Sequence, residues 1–144
     1  MHIFFSCGET SGDQYAAAIA TKLLASNPSI QISGNAGNHF ERAGGHVCNH
    51  VVSKSTIGLI EPIKHIPFYL RVMAATKRYI KQHQVAVVVC IDHQGFNVPL
   101  AAWCHKHNIS VVSLFAPQYW VWGSSKKAAK FSSYCDHIFC VFEK

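Results

Sequence analysis

The feature that most constrains the fold of this chain is an alternation of short apolar runs with longer segments of helical pattern. The runs are rich in β-branched and aromatic residues, which is typical of parallel strands buried on both faces. This order predicts an open, mostly parallel α/β sheet with right-handed connections. The predicted strands are Ile3–Phe5, Ser29–Ser33, Val85–Ile91, Ser110–Phe115 and His137–Phe142.

Three segments between these runs are predicted helices. Gln14–Ala25 is rich in Ala and Leu, Pro62–Gln82 has apolar residues at helical spacing, and Val98–His107 follows Asn97 as a helix cap. A loop and a short helix are predicted between the second strand and Pro62. No repeat or linker composition divides residues 1–144, so we expect one Rossmann-like domain.

The composition excludes a disordered tail and favours an anionic partner. The chain has 144 residues, of which 49% are hydrophobic, enough for one folded core. Thirteen Lys and Arg oppose seven Asp and Glu, which makes the formal net charge +6. The first apolar run is too short for a signal peptide, and no run approaches the ~20 residues that span a bilayer. We therefore expect a cytoplasmic protein.

The cysteines and histidines do not form a recognisable metal or disulfide pattern. Six cysteines occur without a C-x-x-C motif, mostly in apolar runs, which indicates reduced and buried thiols. Among the ten histidines, His105 and His107 are two residues apart on a predicted helix and so do not share a face. Without H-E-x-x-H or a ligand spacing, we expect no metal site.

The first predicted strand leads into a loop of glycines and small polar residues, Cys7–Asp13. Its backbone amides could bind a phosphate at the start of the helix that follows. An ordinary turn, in which Ser11 or Asp13 caps that helix, is an equal alternative. The loop lacks G-x-G-x-x-G, and no acid ends the second strand, so a dinucleotide site is disfavoured.

An acidic residue, Asp92, ends the most hydrophobic predicted strand. At the carboxyl edge of an open parallel sheet, such a group could act as a general base. The alternative is an aspartate that caps the next helix or pairs with a cation. Neighbouring residues of a strand point to opposite faces, which disfavours His93 as a partner of Asp92.

Two further segments combine aromatic or apolar residues with lysines and arginines. The loop Pro117–Gly123 carries Trp120 and Trp122 and precedes Lys126, Lys127 and Lys130. It could hold a base, a sugar or a lipid headgroup, or fold back onto the core. The basic face of Pro62–Gln82 is either an ordinary solvated surface or a membrane-binding one.

Six motifs occur in order along the whole chain: Gly8–Asp13, Gly34–Gly37 with Gly44, Ile57–Glu61, Ile91-Asp92 with Phe96-Asn97, Pro117 with Trp120–Trp122, and Phe142–Lys144. Together they resemble the lipid-A-disaccharide synthase family. The resemblance implies the acceptor-side, N-terminal half of a GT-B glycosyltransferase, with the nucleotide-sugar domain outside this chain. The isolated chain is then expected to be inactive.

The activity implied by this resemblance is an inverting transfer in lipid A biosynthesis. A UDP-2,3-diacylglucosamine donor and a 2,3-diacylglucosamine 1-phosphate acceptor are joined by a beta-1,6 link. Asp92 takes the hydroxyl proton, and the substrate-binding residues are Glu9, Ser11, Gly12, Asn97, Trp120 and Trp122. No cofactor, metal or nucleic acid is implied. The enzyme acts at the anionic inner-membrane surface, and a homo-oligomer is compatible with the sequence.

Several positions depart from the family pattern. Gly95 stands where the family has a second aspartate, Asn38-His39-Phe40 replaces a Pro-Arg-Met, and Gly123 replaces an arginine. Ala16 stands at a position where the family has a glycine. These changes bear on substrate recognition, and the alternative function is a non-catalytic lipid- or membrane-binding domain with the same half-fold.

Overall fold

The computed structural model describes residues 1–52, 65–115 and 125–140. Its strands are β1 (His2–Ser6), β2 (Gln31–Ala36), β3 (His46–His50), β4 (Val87–Ile91), β5 (Ser110–Leu114) and β6 (His137–Phe139). Its helices are α1 (Thr10–Ser26), α2 (Asn38–Arg42), α3 (Ile66–Gln82), α4 (Gln94–Lys106) and α5 (Ser125–Ser132). The six strands form one parallel sheet in the order β3-β2-β1-β4-β5-β6. The predicted open parallel α/β sheet is confirmed.

The core lies on both faces of this sheet, because successive residues of a strand point to opposite sides. Phe5 on β1 belongs to a buried cluster with Ala16 of α1 and Phe40 of α2. Its neighbour Phe4 belongs to a second cluster, which includes Leu100 of α4. Helices α1 and α2 therefore cover one face, and α3, α4 and α5 contribute to the other.

The second and third strands differ most from the sequence prediction. Strand β2 extends to Ala36, so Gly34 lies inside it instead of beginning a loop. A side chain at Gly34 would start 2.4 Å from the carbonyl oxygen of Phe5, so only glycine fits this close approach. Strand β3 is an edge strand of mixed polar and apolar residues, and the sequence does not predict it because it lacks a continuous apolar run.

Two helices begin earlier than the sequence predicts. Helix α1 starts at Thr10 and α4 starts at Gln94, each directly after the loop that leaves a strand. Helix α3 is described from Ile66, and the first residues of the predicted helix at Pro62 lie outside the described part. These earlier starts bring both helix N-termini to the carboxyl edge of the sheet.

At the opposite, amino edge of the sheet, His2 is buried in a cluster of aromatic rings. Its Nε2 lies 2.7 Å from Ser33 Oγ, and its ring lies 5.9 Å from Tyr79 and 6.1 Å from His83. Burial is the main cause that lowers the pKa of His2 from its ordinary value of 6.5, and the nearby His83 and His46 lower it further. Hydrogen bonding to the main chain of His83 opposes this effect.

We expect the stability of the chain to depend on pH through this cluster. Because the pKa of His2 is lower when folded, the unfolded chain takes up its proton first as the pH falls. Stability is therefore full above pH 6.5 and is lost as the pH falls through the lowered folded pKa. Urea unfolding between pH 7.5 and 5 measures the effect, and His2→Gln should flatten it. His105→Gln serves as the control for replacing a histidine. If the free energy of unfolding falls with pH as steeply in His2→Gln as in the parent chain, this assignment is contradicted.

Candidate functional site

The candidate site lies at the carboxyl edge of the sheet, where the strand order reverses between β1 and β4. Loops leaving these two strands pass to helices on opposite faces, which opens a crevice in folds of this kind. The crevice has a volume of about 190 Å³, which includes its open mouth. Its lining residues are Cys7, Gly8, Asn35, Val51, Tyr69, His93 and Phe96.

The loop from β1 to α1 forms one wall of this crevice. Glu9 and Ser11 are exposed at its rim, whereas Gly12 is buried. A side chain on Gly12 would start 2.9 Å from Cβ of Cys7, so Gly12 allows α1 to pack against the end of β1. Glu9 is the N-cap residue of α1 and makes no side-chain capping bond.

The alternative in which Ser11 or Asp13 caps α1 is wrong. Asp13 is 1% exposed and accepts hydrogen bonds from the backbone N–H groups at the start of the next helix. Its Oδ1 accepts from Gly37 at 2.8 Å and Phe40 at 3.1 Å, and its Oδ2 accepts from His39 at 3.0 Å. Asp13 therefore caps α2, a partner 24 to 27 residues away in sequence. This carboxylate stabilises the short helix Asn38–Arg42.

The opposite wall is the turn between β4 and α4, which contains Asp92 and His93. Both residues have left-handed backbone conformations, with φ of 49° and 47°. Each costs roughly 1–3 kcal/mol in a residue other than glycine, and such strain concentrates at functional sites. Asp92 is exposed at the edge of the sheet, as the sequence predicts, and His93 is half-buried. The N-cap residue of α4 is His93 and no side-chain bond caps this helix, so Asp92 is not its cap.

Asn97 connects this turn to strand β1 through side-chain hydrogen bonds. It is 2% exposed, and it lies inside the first turns of α4, so the prediction that it caps the helix is wrong. Its Nδ2 donates to the carbonyls of Asp92 at 2.6 Å and Ser6 at 3.1 Å, and its Oδ1 accepts from Ser6 Oγ at 2.6 Å. Asn97 thus fixes the backbone of Asp92 relative to β1.

His93, on the same turn, faces the crevice. Its ring lies 5.2 Å from that of Tyr69 and 6.0 Å from that of Phe96. Burial lowers the pKa of His93 from 6.5, whereas the charges of Glu9 and Asp92 raise it. The imidazole is therefore mostly neutral at pH 7. The opposite-face argument against His93 does not apply, because both residues lie beyond the strand in a left-handed turn.

Three buried or half-buried thiols are protonated, and one of them, Cys7, lines the crevice. Burial, followed by the charge of Asp13, raises the pKa of Cys7 to about 12. Burial likewise raises the pKa of Cys104 to about 12 and that of Cys135 to about 11. A thiolate nucleophile at neutral pH is therefore not available at these three positions. Cys7, Cys90 and Cys104 are buried as predicted, whereas Cys140 is exposed.

Not every predicted site residue is described. Trp120, Trp122 and Gly123 lie outside the described residues, as does the motif Ile57–Glu61. Gly95 is exposed in the first turn of α4, and a side chain there would meet open space. Where the resemblance implies a second aspartate, position 95 therefore adds no carboxylate beside that of Asp92.

Sequence reasoning missed the polar residue Asn35 at the bottom of the crevice. Its Nδ2 donates to Thr76 Oγ1 at 2.7 Å, and its Oδ1 accepts from Asn49 at 2.8 Å. The sequence predicts that it lies in the loop after the second strand, but it is 1% exposed near the end of β2. These bonds attach α3, and with it the crevice residue Tyr69, to the sheet.

A parallel sheet of this order, with two helix N-termini and an exposed carboxylate at its crevice, defines a Rossmann-like α/β domain of the ligand-binding type. Within that class, a family model described as lipid-A-disaccharide synthetase matches residues 3–144. The chain belongs to this family, as its motifs predict. The alternative, a non-catalytic lipid- or membrane-binding domain with the same half-fold, is not favoured.

Curated relatives support the same assignment. The lipid-A-disaccharide synthase of Coxiella burnetii (strain Dugway 5J108-111) is 32% identical over 143 residues, covering 98% of this chain and 37% of the relative. Lipid-A-disaccharide synthase 1 of Legionella pneumophila (strain Philadelphia 1) is 29% identical over 116 residues, 80% of this chain and 30% of the relative. The chain spans about a third of the length of these relatives.

Solved structures confirm the fold. MurG of Acinetobacter baumannii matches with a TM-score of 0.59 at 16% identity, over 99% of this chain and 41% of that one. The UDP-GlcNAc 2-epimerase of Neisseria meningitidis, bound to UDP-GlcNAc, matches with a TM-score of 0.61 at 8% identity, over 97% and 40%. The predicted likeness to one half of a GT-B glycosyltransferase is confirmed at the level of the fold.

Proposed function

We propose that this chain supplies the acceptor side of an inverting glycosyltransferase of lipid A biosynthesis. The reaction joins UDP-2,3-diacylglucosamine to 2,3-diacylglucosamine 1-phosphate through a beta-1,6 link. The observation that carries the proposal is the exposed carboxylate of Asp92 at the crevice of a chain that belongs to the lipid-A-disaccharide synthetase family. The nucleotide-sugar domain is proposed to belong to a longer protein.

In the proposed reaction, the acceptor hydroxyl attacks the anomeric carbon of the donor. The bond from that carbon to the UDP oxygen breaks, UDP leaves, and the hydroxyl proton passes to the Asp92 carboxylate. Asn97 holds the backbone of Asp92 at 2.6 Å, so its role is to position the base. Exposed Glu9 and Ser11 border the substrate at the opposite rim, and the N-termini of α1 and α4 favour its negative charge.

A transfer assay with purified substrates tests this proposal. The longest product of the gene that contains this chain should form diacylglucosamine disaccharide 1-phosphate and release one UDP per disaccharide. Residues 1–144 alone should release none, because donor and acceptor must be held together by two domains. A longer product without transfer would contradict the proposed activity. If the isolated chain releases UDP above a heat-treated control, the proposal that transfer needs a second domain is contradicted.

We also propose that this protein acts at the cytoplasmic face of the inner membrane as a peripheral enzyme. None of the described helices is long and apolar enough to cross a membrane. Helix α3 exposes Ile66 by 50% and Leu70 by 66%, directly beside exposed Arg71. Farther along, the ammonium groups of Lys77 and Lys81 lie 5.7 and 5.6 Å from the ring centre of Trp103. Exposed apolar and cationic groups on one helix suit an anionic lipid surface.

This helix is expected to bind anionic vesicles weakly and in a salt-dependent way. Each basic residue near such a surface contributes up to about 1 kcal/mol, which salt screens. In co-sedimentation, the chain should bind phosphatidylglycerol vesicles and not phosphatidylcholine vesicles. Leu70→Ser and Arg71→Gln should each weaken binding, whereas Tyr15→Ser, 51% exposed on α1, should not. Equal binding to both vesicles, or binding unchanged by salt, would contradict the electrostatic contribution.

A further inference from the structure

We propose that His93 is a positioning residue for the glycosyl transfer, whose imidazole lies between the two loops of the crevice and fixes Glu9 relative to Asp92. The inference rests on the proposed function, because the reaction defines what must be positioned. His93 contributes no bond to the reacting atoms in this proposal. It acts through the contact between the β1–α1 loop and the β4–α4 turn.

The first observation is the fit between His93 and Gly8. A Cβ on Gly8 would lie 2.6 Å from Cγ and 2.7 Å from Cδ2 of the His93 ring, which is closer than real contacts allow. The imidazole therefore occupies the space that any other residue at position 8 would need. Glu9 follows Gly8 directly, so the ring sets where the loop that carries Glu9 can lie.

The second observation is that the backbone holds this ring in place at a cost. Asp92 and His93 are consecutive left-handed residues, and this pair exposes Asp92 while turning His93 inward. Asn97 fixes the carbonyl of Asp92, which keeps the turn in this strained form. A change in the position of His93 is therefore transmitted to the backbone of Asp92.

The third observation concerns the groups around the imidazole. Among the described residues, the titratable groups that face it are Glu9 from the β1–α1 loop, Asp92 from its own turn, Tyr69 from α3 and Cys7 from the end of β1. Burial keeps the imidazole neutral at pH 7, whereas both carboxylates favour its protonated form. Protonation would place a positive charge beside Asp92, the proposed base. The positioned state is therefore the neutral one.

Nuclear magnetic resonance of residues 1–144 tests the arrangement without any activity. The Hε1 signal of His93, identified by its loss in His93→Gln, should titrate below pH 6.5. Asp92→Asn and Glu9→Gln should each move this titration lower by a few tenths of a pH unit, as expected for one charge several ångström away in water. The signal of exposed His105 serves as the control for the assignment, because it should remain in the spectrum of His93→Gln.

Kinetics of the complete enzyme test the role in catalysis. His93→Gln and His93→Asn should lower kcat by about 10- to 100-fold with little change in KM, as expected for misplaced groups. Both variants should also lose the step in the pH profile that coincides with the His93 titration. Asn is included because it tolerates the left-handed conformation, so at least one variant keeps the turn. His105→Gln should match the parent enzyme.

Each outcome is informative. If His93 titrates at or above pH 6.5 and the titration is unchanged by Asp92→Asn and Glu9→Gln, the proposed placement of His93 between Glu9 and Asp92 is overturned. This holds whether or not the enzyme is active. If both His93 variants keep the pH profile and the kcat of the parent enzyme, the positioning role is overturned. His93 then contributes only to packing. If the parent enzyme is inactive but the His93 titration still responds to Asp92→Asn and Glu9→Gln, the proposed function is overturned. The role of His93 in glycosyl transfer is then overturned as well, whereas the arrangement of the three residues stands.

Discussion

Asp92→Asn is expected to lower transfer by the complete enzyme by at least about 100-fold, the low end for the loss of a general base. Asn keeps the shape of Asp92 and cannot accept the hydroxyl proton. The fold should survive, because the side chain of Asp92 is exposed and makes no hydrogen bond among the described residues. The main-chain bond from Asn97 to the Asp92 carbonyl is also retained. Initial rates at saturating donor and acceptor measure the effect.

The control for this experiment is Glu41→Gln, an exposed acid on α2 away from the crevice. Its activity should equal that of the parent enzyme, and both variants should unfold at the parent temperature. Retention of more than about a tenth of the parent rate in Asp92→Asn would contradict the role of Asp92. The base would then be assigned to Glu9, the carboxylate on the opposite rim.

Asp13→Ala is expected to cost the chain about 3 kcal/mol or more of its free energy of unfolding. The substitution leaves the backbone N–H groups of Gly37, His39 and Phe40 without their acceptor, at roughly 1 kcal/mol or more each. This is a large part of the 5–15 kcal/mol that holds a typical domain folded. Urea unfolding followed by circular dichroism measures the change.

Two further variants make this test specific. Asp13→Asn should cost less than Asp13→Ala, because one side-chain oxygen still accepts while the amide faces a donor. Glu41→Ala, on the exposed side of the same short helix, should change stability by no more than about 0.5 kcal/mol. Equal stability of Asp13→Ala and the parent would show that water replaces the carboxylate at these amides.

The order of most strands and helices was predictable from the sequence. The strand that was missed, β3, lies at the edge of the sheet. Buried parallel strands need continuous apolar runs, so β1, β4 and β5 are visible in the pattern. Edge strand β3 has a polar, half-buried sequence and depends on pairing with β2. Its formation is a consequence of the neighbouring strand and not of its own residues.

In the candidate site, too, some features followed from local sequence and others depended on contacts between distant segments. That Asp92 would stand at the carboxyl edge followed from the end of an apolar run, and the family followed from six ordered motifs. The roles of Asp13 and Asn97 did not follow, because Asp13 bonds to Gly37, 24 residues away, and Asn97 bonds to Ser6, 91 residues away. Local capping rules therefore placed Asp13 at the start of α1 instead of α2, and Asn97 before α4 instead of inside it.

The sequence by itself determined the fold class, the position of Asp92 and the family, because these depend on local hydrophobic pattern and motif order. Only the tertiary structure decided that His93 faces the crevice beside Gly8 and that Asn35 joins α3 to the sheet. The physical reason is that a left-handed turn and a buried polar bond depend on contacts between distant segments. No local pattern of residues specifies such contacts.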